Sequence, residues 1–224
     1  MREIVFDTET TGLDPYAGHR IVELGCVELI NHLPTGRHFH RYLNPERPMP
    51  KEAEQIHGLT DDFLKDKPLF KHEARGFLEF IGESPLIIHN AAFDMKFINA
   101  ELEWAGFAAL ETSRALDTVL LARQKFPGQS ASLDALCKRF TIDLSARTKH
   151  GALMDAELLA EVYLELLGGR QAGLVLERES MRSEMEAEGA PRQTVPERHF
   201  PPGPEELAAH KIMLEKIKNP VWSA

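Results

Sequence analysis

Cysteine is scarce: Cys26 and Cys137 are the only two, and neither has Cys or His neighbours at zinc-ligand spacing. That argues against a disulfide framework and a thiolate metal centre, and points to a reducing, cytoplasmic setting. Long apolar runs are missing too. No stretch approaches the roughly 18 residues of a membrane span, and no basic leader precedes an apolar segment, so neither anchor nor leader is expected. Positive charge is in deficit, with 26 Lys and Arg against 35 Asp and Glu for a net charge of −9. Broad, sequence-blind binding of nucleic acid through a basic face is therefore disfavoured, although a small site can borrow positive charge from bound metal. There is no Walker-type Gly-Lys-Ser/Thr loop, no His-Glu-x-x-His helix, no Gly-x-Ser-x-Gly elbow and no internal repeat.

What the chain does have is enough apolar content, 43% of 224 residues, for one good core and an appendage. Strand-like segments at Ile4 to Phe6, Ile21 to Leu29 and Phe39 to Leu43 are separated by turn chemistry at Gly12 to Gly18 and Pro34 to Gly36, which reads as an antiparallel meander. A long Pro-punctuated connection follows. Helix (Phe70 to Ile81), strand (Leu86 to His89), helix (Ala92 to Ala105), strand (Ala115 to Asp117) and helices around Leu133 to Arg139 and Leu153 to Leu167 come next. The fold class is α/β with a mixed sheet. After Gly168 and Gly169 the chain turns rich in charge, Pro and Gly, as a flexible tether would. It leads to a short helix opened by Pro204 and closed by Pro220, with Leu207, Leu214 and Ile217 on one side.

Three places put carboxylates where an apolar residue is expected. In "IVFDTETTG" a strand delivers Asp7 and Glu9 to the same face. At about 4 Å and an effective dielectric of about 20 their repulsion is about 4 kcal/mol, which either a cation offsets or a turn-capping role for one of them avoids. In "HNAAFDMKFINAELEWAG", Asn90 is positioned to cap a helix whose apolar stripe runs through Ile98, Leu102 and Ala105. Asp94 lies one turn before Ile98 and faces the protein, either toward a metal or toward a buried Arg or Lys. In "HGALMDAELLAEVYLELL", Asp155 continues the stripe of Leu159, Val162, Tyr163, Leu166 and Leu167 toward the helix start. A first-turn Asp stabilised by the helix dipole is the plain alternative there. His150 precedes this helix, as a surface histidine or as a working one.

Each alternative explains one site; a shared metal centre explains all of them. Four carboxylates without a thiolate make a hard oxygen cage suited to Mg²⁺ or Mn²⁺. Two such ions about 3.5 to 4 Å apart clamp the attacking and leaving oxygens of an in-line displacement at phosphorus. Asp7 is then placed to bridge both ions, Glu9 and Asp155 to complete one shell and Asp94 to support the other. Histidine as a residue type titrates close to neutrality in model peptides, which suits the His150 position to a general base for the attacking water.

"DTETTG", "HNAAFD" and "HGALMDA" resemble, in order and spacing, the three exonuclease motifs of the DEDD family in its histidine variant, and "IHGLTDDFL" and "SLDALCKRF" strengthen the likeness to the proofreading members that serve bacterial replicative polymerases. The resemblance covers the chain up to about Gly169 and implies a ribonuclease H-like, five-stranded mixed sheet flanked by helices. It implies 3′ to 5′ excision from single-stranded DNA ends by a metal-dependent phosphodiester hydrolase. Asp7, Glu9, Asp94 and Asp155 would be the metal carboxylates and His150 the general base. Thr10, Glu52, Ile56, His57, Asn90 and Phe93 would touch the terminal nucleotide, where His57 and Phe93 can stack on an unpaired base. The domain plan it implies is an exonuclease domain over 1–170, a linker over 171–203 and a docking segment over 204–224. Leu207, Leu214, Ile217 and Trp222 would anchor the tail on the polymerase alpha subunit. Gln171, Leu174 and Leu176 lie where the family carries a sliding-clamp-binding peptide, though "QAGLVL" departs from its usual ending, and a theta subunit is a further implied partner. An idle structural brace for the polymerase and an RNA-trimming relative share the same motifs.

Overall fold

β1 (Arg2–Thr10) is apolar and buried along most of its length because both of its faces are covered. Its side chains alternate, so Ile4 and Phe6 join one core cluster while Val5 joins another. The computed structural model describes residues 1–145, 147, 149–169 and 202–217. β1 pairs antiparallel with β2 (Ile21–Ile30) and in parallel with β4 (Leu86–Ile88). β2 pairs antiparallel with β3 (Leu33–Tyr42), and β4 in parallel with β5 (Ala115–Asp117). The result is a mixed five-stranded sheet in the order β3-β2-β1-β4-β5, as the α/β reading expected.

Helices cover both faces. α3 (Phe70–Ile81) and α4 (Ala91–Trp104) close over Ile4 and Phe6 with Phe70, Phe77, Ile81, Ile98 and Leu102. α5 (Thr118–Lys125), α6 (Leu133–Phe140) and α7 (Ala152–Leu167) close over Val5 and Ile87 with Ala122, Leu136, Leu159, Val162 and Leu166. α7 runs against both β1 and β2, which is possible because Gly25 has no side chain: a Cβ there would stand 2.3 Å from the backbone of Ala152.

The structure corrects several sequence expectations. The β2–β3 turn is not at Pro34 to Gly36 but at Asn31 and His32, whose φ values of 51° and 66° give the doubly left-handed geometry of a tight hairpin. β3 therefore starts at Leu33 and contains Pro34, which the sheet tolerates because β3 is an edge strand. Three short helices were not anticipated: α1 (Lys51–His57), α2 (Asp61–Leu64) and α5. They are too short to carry an apolar period, and the latter two are set by caps, Thr60 for α2 and Asp117 for α5. Asn90 does not cap α4 with its side chain; it adopts φ 67°, and the Asp117 carboxylate accepts the backbone N–H groups of Asn90 and Ala91 at 3.3 and 3.1 Å.

Among the described residues no helix is long and apolar enough to cross a membrane. The last described helix, α8 (Pro204–Glu215), has Pro204 in its first turn, and the Gly203 N–H donates to Glu206 Oε2 at 2.8 Å. Its Leu207 and the following Ile217 are exposed, as are Ile212 and Met213. Gln171, Leu174, Leu176 and Trp222 lie outside the described residues.

Candidate active site

Asp7 and Glu9 leave β1 on the face covered by α7, and Asp155 enters from the first turn of that helix. Glu9, Asp155 and His150 each offer a ligand atom within 4.8 Å of the others, an arrangement able to hold a metal ion. His150 hangs over this group from the segment before α7, its N–H on Ile56 O at 3.4 Å and its Nδ1 3.1 Å from Asp155 Oδ2.

Asp94 arrives from the other side of the sheet. The Thr8 hydroxyl, which alternates with Asp7 and Glu9 and so points the opposite way, donates to Asp94 Oδ1 at 2.6 Å. Beyond Val5 the pairing of β1 with β4 has ended, and through that open edge the Asp94 charge is felt at Asp7. Asp7 and Asp94 stand outside the 4.8 Å group but inside its field.

The electrostatics record the crowding. Burial raises Asp7 well above the usual carboxylate range, reinforced by the charges of Asp94, Glu9, Asp155 and Glu23. Glu9 is pushed up to about 8, first by burial and then by Asp155, Glu23 and Asp94, with Arg147 opposing. Asp94 is raised by burial against the pull of the Thr8 hydrogen bond. Among the described residues no Lys or Arg head group lies within 4.0 Å of Asp7, Glu9 or Asp94. A pairing of the kind envisaged as the alternative for Asp94 occurs two turns further along α4, where the half-buried Arg20 forks the buried Glu101 at 2.7 and 2.8 Å. Asp155 is different: Arg147, which sequence reasoning missed, holds both of its oxygens at 2.6 Å.

Sequence reasoning also missed Gly25, beside Asp7 in the β1–β2 ladder, and Glu23, opposite Glu9 and held by His40 at 2.7 Å. Nothing in the local pattern distinguished these from ordinary strand residues. A further signal was available only in the pairing, which slips by one residue between Glu9 and Thr10. Such a bulge re-aims the side chains that follow it.

A cleft of about 560 Å³ opens beside the carboxylates, lined by Thr10, Glu52, Ile56, His57 and Phe93 among others. Ile56 is exposed, and Phe93 is partly buried against Phe97 with ring centroids 5.0 Å apart. His57 is buried at the end of α1, where its Nδ1 accepts the Leu59 N–H at 3.0 Å and burial lowers its pKa. Asn90 lines a different cleft, with His89, Asp117, Arg123 and Ser132.

The sequence and the fold both have counterparts among known proteins. The family model described as exonuclease (RNase_T) matches residues 4–163, so the chain is an exonuclease-family protein. Exonuclease X, solved in complex with 5′-overhanging duplex DNA, has 25% identity and a TM-score of 0.57 over 73% of this chain and 90% of its own. The nuclease domain of 3′hExo, a DEDDh family member, shares the fold at a TM-score of 0.65 and 18% identity over 74% of this chain and 91% of that one. DNA polymerase III subunit epsilon of Rickettsia felis is 52% identical over 97% of both chains, and that of Escherichia coli 42% identical over 97% of this chain and 93% of its own. The chain belongs to the DNA polymerase III subunit epsilon family.

Proposed function

We propose that the chain excises mispaired nucleotides from the 3′ end of the primer strand during replication, as the 3′–5′ exonuclease subunit of DNA polymerase III. The observation that carries the reading is the accumulation of desolvated acids, with Asp7, Glu9 and Asp94 all raised and none paired to Lys or Arg among the described residues. Such a cluster fits a divalent cation better than any other partner. Asp7, Glu9, Asp94 and Asp155 would hold two Mg²⁺ or Mn²⁺ ions. When bound, the ions supply the positive charge that develops a nucleophile and stabilises the leaving oxygen at phosphorus.

The remaining steps belong to the side chains. The terminal nucleotide enters the cleft of Thr10, Glu52, His57, Ile56 and Phe93, where an apolar wall accepts a base face without reading its identity. Asn90 meets the strand from its separate cleft. His150, exposed at the mouth and oriented by Asp155, takes the proton of the attacking water. A mispaired base costs less to unstack than a paired one, so frayed ends reach the carboxylates more often. Family membership supports a cytoplasmic protein associated with the polymerase. We extend this to docking of α8 on the alpha subunit through Leu207, Leu214 and Ile217, with Trp222 beyond it, to clamp contact through 171–176, and to a theta subunit.

The test is trimming of a 3′-labelled single strand in Mg²⁺, with DNA and RNA of one sequence compared. Asp7→Ala should abolish trimming while leaving association with the polymerase unchanged; trimming at the native rate would end the assignment. Faster removal from RNA would redirect it to an RNA substrate.

A further inference from the structure

Arg147 is the one cation that reaches into the acidic cluster among the described residues, and its side chain is 8% exposed. Its guanidinium spends both edges there. Nε donates to Asp155 Oδ1 and Nη2 to Asp155 Oδ2, each at 2.6 Å, while Nη1 donates to Asp134 on α6. Nη2 also lies 2.8 Å from Nδ1 of His150. A guanidinium can only donate and a carboxylate can only accept, so Nδ1 serves one of them at a time: without a proton it accepts from Arg147, with one it donates to Asp155 Oδ2 at 3.1 Å, and Arg147 thus competes with the bond that orients His150. A fork of this kind takes the same in-plane lone pairs of Asp155 that a divalent cation would use. The charge it brings is also one that lowers Glu9.

We propose that Arg147 is a built-in counter-cation of the metal-free site, which an arriving divalent ion must displace from Asp155, freeing His150 in the same movement. The inference rests on the reading of Asp155 as a metal ligand. Arg147 lies between α6 and α7, outside either helix, so its release would break no helical hydrogen bond. Its pairing with Asp134 supplies an anchor that does not depend on Asp155. Arg147 is a positioning residue in this scheme: it sets how readily Asp155 and His150 become available. Since engaged Arg147 and bound metal exclude each other, apparent metal affinity is reduced by the fraction of molecules in which Arg147 is released.

The experiment is calorimetric titration of the full chain with Mn²⁺ alone, for the native protein and Arg147→Gln. If the released form is about a tenth of the population, the variant binds Mn²⁺ about tenfold more tightly, and its melting point falls in chelator yet recovers in excess Mn²⁺. Equal or weaker binding by the variant overturns the proposal, weaker binding meaning that Arg147 orients Asp155 for the ion. Should the variant not fold, the Arg147 Nε–H resonance of the native protein decides. Saturating Mg²⁺ should move it to a solvent-exchanging position, and a resonance that stays put overturns the proposal. A native chain that binds no Mn²⁺ sinks the metal-site reading itself, whereas binding with Arg147 unmoved sinks only this one.

Discussion

Replacing Gly25 with alanine should damage the active site from a position that never touches substrate. The added Cβ would lie 2.3 Å from the carbonyl carbon and oxygen of Ala152 and 2.4 Å from the Leu153 nitrogen, all of them backbone, so no rotamer change relieves the clash. Ordinary contact begins at 3.4 Å, which requires β2 and the start of α7 to separate by roughly 1 Å. Overpacking of this kind costs about 1 to 3 kcal/mol, and at this chain length each kcal/mol lowers the melting point by about 2 to 4 °C. The displaced turn carries Asp155, while Gly25 is the ladder partner of Asp7. The same movement therefore widens the gap between two carboxylates of the cluster, and a misplacement of about 1 Å at a reacting centre costs about 10²-fold in rate. The assay is the single-turnover trimming rate per folded molecule, beside a thermal melt. Gly76→Ala is the control: its Cβ would meet Phe39 at an ordinary 3.6 Å on an exposed face of α3, so it should gain about 0.5 to 1 kcal/mol and keep full activity. Native rate and native melting point for Gly25→Ala would refute the close-approach argument.

In chelator, stability should fall as pH rises from about 4.5 to about 8. Glu9 ionises near 4.5 unfolded and at about 8 folded, so across that window the native state holds a proton that the unfolded state releases, and Asp7 and Asp94 act in the same direction. A melting point that climbs over this interval would contradict the shifts. Asp7→Asn should raise the melting point in chelator, by removing one member of a repelling group, while eliminating Mg²⁺-dependent trimming; a lowered melting point would mean the charges are not crowded. Arg20→Ala strands the buried Glu101 carboxylate and should cost about 3 kcal/mol in urea denaturation. Arg20→Met with Glu101→Leu should regain most of it, and a double variant as unstable as the single would argue against the uncompensated charge.

The helices with a full apolar period, α3, α4 and α7, were legible within a residue or so of their ends because an amphipathic stripe is a local property. So was the alternation that sends Asp7 and Glu9 to one face of β1. The short helices and the true hairpin turn were not, since caps and left-handed residues leave only faint traces beside Pro34 and Gly36. On α4 the limits of sequence reading are plain. Asp94 and Glu101, two turns apart, are both buried acids. Which of them meets an arginine depends on what Arg20, just before β2, brings to the helix, and no pattern within α4 contains that fact.

The order of residues alone thus determined which acids turn inward, since period and strand alternation follow from backbone geometry. Tertiary structure decided their company: that Thr8 meets Asp94 on the α4 side of the sheet, that a glycine lets α7 approach β2, and that Arg147 rests on Asp155. Those outcomes depend on contacts between segments far apart in the chain. Distance and charge between such segments exist only once the core has closed around them.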